Sequence, residues 1–243
     1  MIGQAIAVGG LGVLALNVYA VVLIVVRSRA WGTRLYRPML LNVALSTIPI
    51  LLAIGMIVGT LVLLAAEPGR VRLPVAYLIV SGLAFVVFFP NSVYLITELN
   101  FSHRRSDDAV PLWFDIVMTL TLTLSGIVNA IVALAFVQTF AIVFRAAGEI
   151  PATPPWWSWA VTAGVLVLGC LGVYLGRRLR FNSWDAARPW LVVSRLVAYL
   201  RPRGRMRELV RFVGAHAVLL VVLYVMVYFP IYVLVIGWAL DSG

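Results

Sequence analysis

The chain has no lysine, a single cysteine, two histidines and only nine acidic residues among 243. Charged residues make up 12% of it, about half the ~25% usual in a soluble domain, while 63% of residues are hydrophobic and the mean hydropathy is +1.04. A soluble globular core of this length could not hide so much apolar surface, so the surplus must face lipid. Disorder is excluded by the same composition, because disordered segments are poor in aromatic and branched apolar residues. The lone Cys170 sits in an apolar run, which rules out an intrachain disulfide and leaves the redox compartment unreadable. All nineteen basic residues are arginine, and they fall in short runs between apolar blocks. That pattern suits membrane orientation rather than a basic face tracking a nucleic acid, and no nucleic-acid partner is expected.

What is present is a series of long apolar runs. A helix needs about 20 apolar residues to cross ~30 Å of hydrocarbon. Six segments meet that length: 4–26, 38–66, 74–97, 112–144, 157–176 and 212–238. Continuous apolar runs of this kind are helices rather than barrel strands, so the expected fold is all-α: one polytopic transmembrane bundle of about six spans. The second and fourth runs exceed the minimum and imply tilt or a kink, with Pro49 as a cause of one. No positive residue precedes the first run and no small-residue cleavage pattern closes it, so it reads as a span and not a cleaved signal.

Sixteen of the nineteen arginines lie in the 27–37, 98–111 and 177–211 connections, and three in the others. This bias predicts that those three connections are cytoplasmic, that both termini are external, and that the membrane is the plasma (inner) membrane. Residues 190–200 are too short to span and read as a helix in the inner interface, anchored by Trp190 and Tyr199. Arg201, Arg203, Arg205 and Arg207 follow and are expected to meet anionic lipid headgroups. Trp156, Trp157 and Trp159 are expected at the outer interface. Gly55 with Gly59, and Gly172 with Gly176, have the spacing that lets helices approach closely.

Polar residues gather in three places. Pro90 cannot donate to a helix ladder, and Asn91 beside it can satisfy a freed carbonyl. Asn91, Tyr94 and Glu98 then share a face if the helix resumes, so the end of the third run reads as a broken helix carrying polar groups, or as a kink that only shapes the bundle. Asp115, Thr119, Gly126 and Asn129 form a polar and small stripe on the fourth run. An acid there must be paired or wet, so Asp115 is expected to face the interior, either functionally or in an ion pair with an arginine. Beyond the fifth run, Arg177, Arg178 and Arg180 could fork onto carboxylates or phosphates, and Ser183 with Asp185 could start a helix. Glu98, His103, Asp107 and Asp108 match no metal signature, and His216 could meet them or bond to a neighbouring carbonyl. Asn100-Phe101-Ser102 has the form of a glycosylation acceptor, but a cytoplasmic connection would not be modified. No cofactor or metal site is expected, and no nucleophile elbow, phosphate loop or zinc-protease pair is present.

The stretches FFPNSVYLITEL (88–99), PLWFD (111–115) and GVYLGRRLRFNSWD (172–185), in this order and at this spacing, resemble a bacterial family of integral membrane proteins, domain-of-unknown-function family thirteen sixty-one. The resemblance covers most of the chain. It implies Pro90, Asn91, Thr97, Asp115, Gly176, Arg177, Arg180, Asn182, Ser183, Trp184 and Asp185 as the family's motif positions here. Two positions depart from the pattern: Glu98 stands where the family usually has Asp, and Phe101 where it has His. With Tyr94 and Glu98 added, these residues are the candidate functional cluster, gathered at a polar, cytoplasm-facing vestibule. The family brings no activity with it, so three readings stand. One is a permease, or an accessory to one, for a small solute or lipid. The second is a structural or assembly protein. The third, an enzyme on a lipid-linked or phosphorylated substrate, has less support because no catalytic spacing is recognisable. There Arg177 and Arg180 would hold phosphate and Glu98 or Asp115 would handle protons.

Overall fold

The computed structural model describes residues 2–66, 69, 71–100, 109–146, 149–181 and 188–241. Every regular element among them is a helix. In chain order they are α1 (Ile2–Ala30), α2 (Arg37–Ala66), α3 (Arg72–Phe88), α4 (Pro90–Tyr94), a 3-10 turn (Leu95–Asn100), α5 (Leu112–Ala146), α6 (Trp156–Leu179), α7 (Pro189–Leu200) and α8 (Arg205–Asp241). Six stretches are long and apolar enough to cross a membrane: Gly3–Ala30, Arg37–Ala66, Arg72–Leu99, Leu112–Ala146, Trp156–Leu179 and Arg205–Trp238. The six expected spans are all there, lengthened by a few residues at their ends. α2 and α8 continue through Pro49 and Pro230.

The distribution of side chains departs from a soluble protein's: beside an apolar core, many large apolar residues face outward and many polar ones are buried. Large apolar residues such as Leu51, Leu83, Val218 and Leu234 are exposed, while Ser46, Ser92, Asp115, Thr119, Ser125 and Asn129 are fully buried. Lipid is as apolar as leucine, so burying leucine gains little there, and small or hydrogen-bonded polar residues take the inside instead.

The residues gather into two compact units: Met1–Ile50 with Asn91–Val132, and Leu51–Pro90 with Ala133–Gly243. In the first, α1, the beginning of α2, the 3-10 turn and the beginning of α5 enclose Leu23, Met39, Leu95, Phe114, Met118 and Leu122. Gly32, in the left-handed region at φ 62°, follows the end of α1, where a residue without Cβ costs least. Trp31 then stacks on Phe114, with ring centroids 4.6 Å apart.

In the second unit α6 packs along α8, α3 and α7 both touch α6, and α7 also touches α8. Of the pair in α2, Gly59 admits a side chain rather than a helix backbone, while a Cβ on Gly55 would meet nothing. The Tyr77 hydroxyl donates to the Gly55 carbonyl at 2.9 Å, and its ring covers the space a Cβ on Gly59 would need. Gly172 of α6 likewise faces the ring of Pro90, so two features singled out separately in the sequence meet. The connection expected over 177–211 is largely helical. α6 ends at Leu179, α7 covers Pro189–Leu200, and Arg205–Arg211 form the first turns of α8. Hydropathy marks only the part of a helix that lies in hydrocarbon, and arginine and glutamate are good helix formers outside it.

Candidate functional site

The third span breaks where Pro90 predicts. α3 ends at Phe88, α4 lasts only from Pro90 to Tyr94, and the chain tightens into the 3-10 turn Leu95–Asn100. From Asn91 onward this segment belongs to the first unit, and side-chain to backbone hydrogen bonds tie it to α2 and α5. The Ser92 hydroxyl donates to the Ser46 carbonyl at 2.6 Å, in the turn of α2 before Pro49. The Thr123 hydroxyl reaches both the Leu95 carbonyl at 3.5 Å and the Thr119 carbonyl at 2.9 Å. α5 can come this close because of Gly126, where an added Cβ would stand 2.5 Å from the Ser92 carbonyl oxygen and 2.7 Å from Leu95 Cβ. Such a fit leaves no room for a side chain.

The segment carries Glu98 inward, 7% exposed, where it accepts a hydrogen bond from Asn42 of α2 at 3.2 Å. Thr97 is buried too and turns its hydroxyl back onto the Tyr94 carbonyl at 2.7 Å. Asp115, in the first turn of α5, is fully buried and takes Arg27 of α1 at 2.8 Å. The Arg27 guanidinium also donates to the Thr33 hydroxyl at 3.3 Å. Asp115 lies near the N-terminus of its helix, where the macrodipole favours a carboxylate.

Further along α5, Asn129 is the centre of a closed network. Asn17 of α1 and Asn129 face each other amide to amide, each donating to the other at 2.9 Å. Asn17 also accepts from Ser125 at 2.8 Å and donates to the Val13 carbonyl at 2.8 Å, and Asn129 donates to Ser46 at 2.9 Å. From Asp115 to Asn129 the stripe runs fourteen residue steps, about 21 Å of helix rise.

The other candidates lie elsewhere. Pro90, Arg177 and Arg180 belong to the second unit, and Asn182, Ser183, Trp184 and Asp185, with His103, Asp107 and Asp108, lie outside the described residues. Arg180 closes α6 in the left-handed conformation at φ 55°, unusual for a residue with a Cβ. His216 bonds through Nδ1 to the Phe212 carbonyl one turn back at 2.8 Å and stacks on the Phe212 ring.

Three features of these networks escape the sequence motifs: Arg27 as the partner of Asp115, Asn42 as the partner of Glu98, and Asn17. A fourth is a second buried network, in the second unit, around Gln138 of α5. Its amide donates to Ser158 at 2.9 Å, and its carbonyl accepts from Thr162 at 2.9 Å and Tyr224 at 2.7 Å. Tyr224, Tyr228 and Tyr232 continue along α8, with Trp159 edge-on to the first two. The available signal is an amide set within a long apolar run, at Asn17 and again at Gln138.

Long apolar helices, an interior of small and polar residues and a span broken inside the protein together define a polytopic helical membrane protein. The family model described as Protein of unknown function (DUF1361) matches residues 41–234. The chain belongs to that family. No curated protein and no solved structure matches it.

Proposed function

We propose that the protein is a permease-type membrane protein that receives a small polar solute inside its first unit. The observation that carries this reading is the interruption of the third span at Pro90, which brings Glu98 into the same unit as the buried Arg27–Asp115 pair. A span that tightens from α into 3-10 geometry inside the protein needs neighbours to take its carbonyls, and interrupted spans are a common way to build solute sites. An ionisable residue in a span is costly, so its retention points to function. In this reading Asn91, Tyr94, Thr97, Glu98 and Asp115 form the solute-receiving part. Pro90 sets the break, and Arg177, Arg180 and Asn182–Asp185 are the family positions that accompany it. The protein sits in the plasma membrane with its arginine-rich connections cytoplasmic and both termini outside, supported by the sixteen-to-three division of arginines.

The purified chain, screened against small polar metabolites by thermal unfolding in detergent, is expected to be stabilised by a restricted chemical class of them. Glu98→Gln, and Asp115→Asn combined with Arg27→Gln so that no buried charge is stranded, should elute as folded protein yet lose that stabilisation and the matching flux in proteoliposomes. Undiminished stabilisation and flux in both variants would overturn the reading. The closed Asn17–Asn129 network favours a second reading, an assembly protein whose polar interior only locks helices together. Under it, substitutions at Glu98 and Asp115 lower stability and nothing else.

A further inference from the structure

Among the described residues, α7 is an apolar helix of twelve residues, too short to cross a membrane, with apolar and cationic sides. Its residues 192, 196 and 199 are half-buried, and α7 touches α6 and α8. Tyr199 is fixed there by the Tyr174 hydroxyl at 3.4 Å and by Arg205, which donates to its hydroxyl at 3.1 Å and lies over its ring. Continuing round the helix, the apolar sector emerges into the open: Trp190, Val193 and Val197 are 70%, 57% and 50% exposed. The opposite sector carries Arg188 and Arg195, and Arg201 and Arg203 follow directly. Between residues 188 and 207 there is no acid at all. Glu208, the next acid along the chain and the first after α7 among the described residues, is already taken by Arg178 at 2.5 Å and Arg205 at 3.2 Å.

An apolar sector half packed and half open, bordered by a cationic edge with no acid to balance it, is what a helix lying in a bilayer interface presents. We infer that α7 and the turn after it form a docking surface for anionic phospholipid. Trp190, Val193 and Val197 enter the acyl boundary, and Arg188, Arg195, Arg201, Arg203 and Arg207 hold the headgroup phosphates of the same leaflet. The contacts of Tyr199 with Tyr174 and Arg205 tie this lipid-held helix to α6 and α8. The inference stands apart from the proposed solute site, and neither depends on the other.

The test uses the full chain reconstituted in vesicles of equal phosphatidylcholine and phosphatidylglycerol, extracted gently, with the retained lipids counted by mass spectrometry. Phosphatidylglycerol is expected to be enriched over its bulk fraction. Arg201→Gln, Arg203→Gln and Arg207→Gln together should cut that enrichment, by about fivefold for each arginine that truly meets a headgroup at low salt. A spin label on Val193→Cys should be relaxed by oxygen and shielded from a water-soluble nickel chelate, a reading that decides the matter even if the triple variant fails to fold. Bulk lipid ratios in the wild type, an unchanged ratio in a folded triple variant, or a label at 193 open to nickel would each overturn the inference. So would displacement of the retained phosphatidylglycerol by inorganic phosphate at constant ionic strength, since that marks a site for a free anion.

Discussion

The buried polar residues of the first unit are hydrogen-bonded or ion-paired, and paired substitutions show how far each pair acts as a unit. Arg27 and Asp115 form an ion pair with the acid wholly excluded from solvent. Removing one partner strands the other charge, so Arg27→Leu alone is expected to cost about 3 kcal/mol in unfolding free energy. Arg27→Leu with Asp115→Leu should cost less than that single change, because no charge is left uncompensated. Thermal unfolding in detergent reads both. The Asn17–Asn129 pair should behave alike on a smaller scale: Asn129→Leu is expected to cost about 1–2 kcal/mol, and adding Asn17→Leu should cost little more. Fully additive losses would show that the two amides do not act as a unit. Asp115 was legible in the sequence because a carboxylate interrupting an apolar stripe must be satisfied. Its partner was not, since Arg27 is 88 positions away and appears, read along the chain, as one more orientation-setting arginine. The same distance hid Asn17, 112 positions from Asn129.

At the scale of elements, the broken third span depends on a glycine in another helix. Gly126→Ala would push a methyl group into the Ser92 carbonyl and Leu95, both backbone-anchored and unable to swing away. A loss of about 1–3 kcal/mol is expected, as for overpacking elsewhere. Gly82→Ala in α3, where nothing lies within 4 Å, is the control and should be near neutral. Equal effects of the two would remove Gly126 from the account. The break itself was legible, because proline states its own consequence. That the following residues tighten into a 3-10 turn was not, since it depends on which neighbours take the freed carbonyls. The beginning of α8 was misplaced for a different reason. Seven residues rich in arginine carry no hydropathy signal, although Arg205 and Glu208 pair one turn apart within the helix. Spacing that allows close helix approach likewise does not say what approaches: in α2 it is the Tyr77 ring, against Gly59 alone.

For the whole molecule, composition alone dictated an all-helical membrane protein, because no other architecture satisfies the backbone in lipid. The interior could not be read the same way, since in lipid packing falls to scattered small and polar residues with no apolar stripe to mark them. Placement in the membrane rests on the arginines, sixteen of them in three alternate connections. The proposed solute site, the proposed lipid-facing α7 and the proposed outward termini all take their direction from that one asymmetry. Cys170, the only native cysteine, is buried, so introduced cysteines can be read against a quiet background. The most direct test is therefore labelling of Thr153→Cys and Arg203→Cys, each in otherwise wild-type protein, with a membrane-impermeant maleimide on intact cells. Position 153 should be labelled at once and position 203 only after the membrane is opened; labelling of 203 from outside, with 153 protected, would contradict the account.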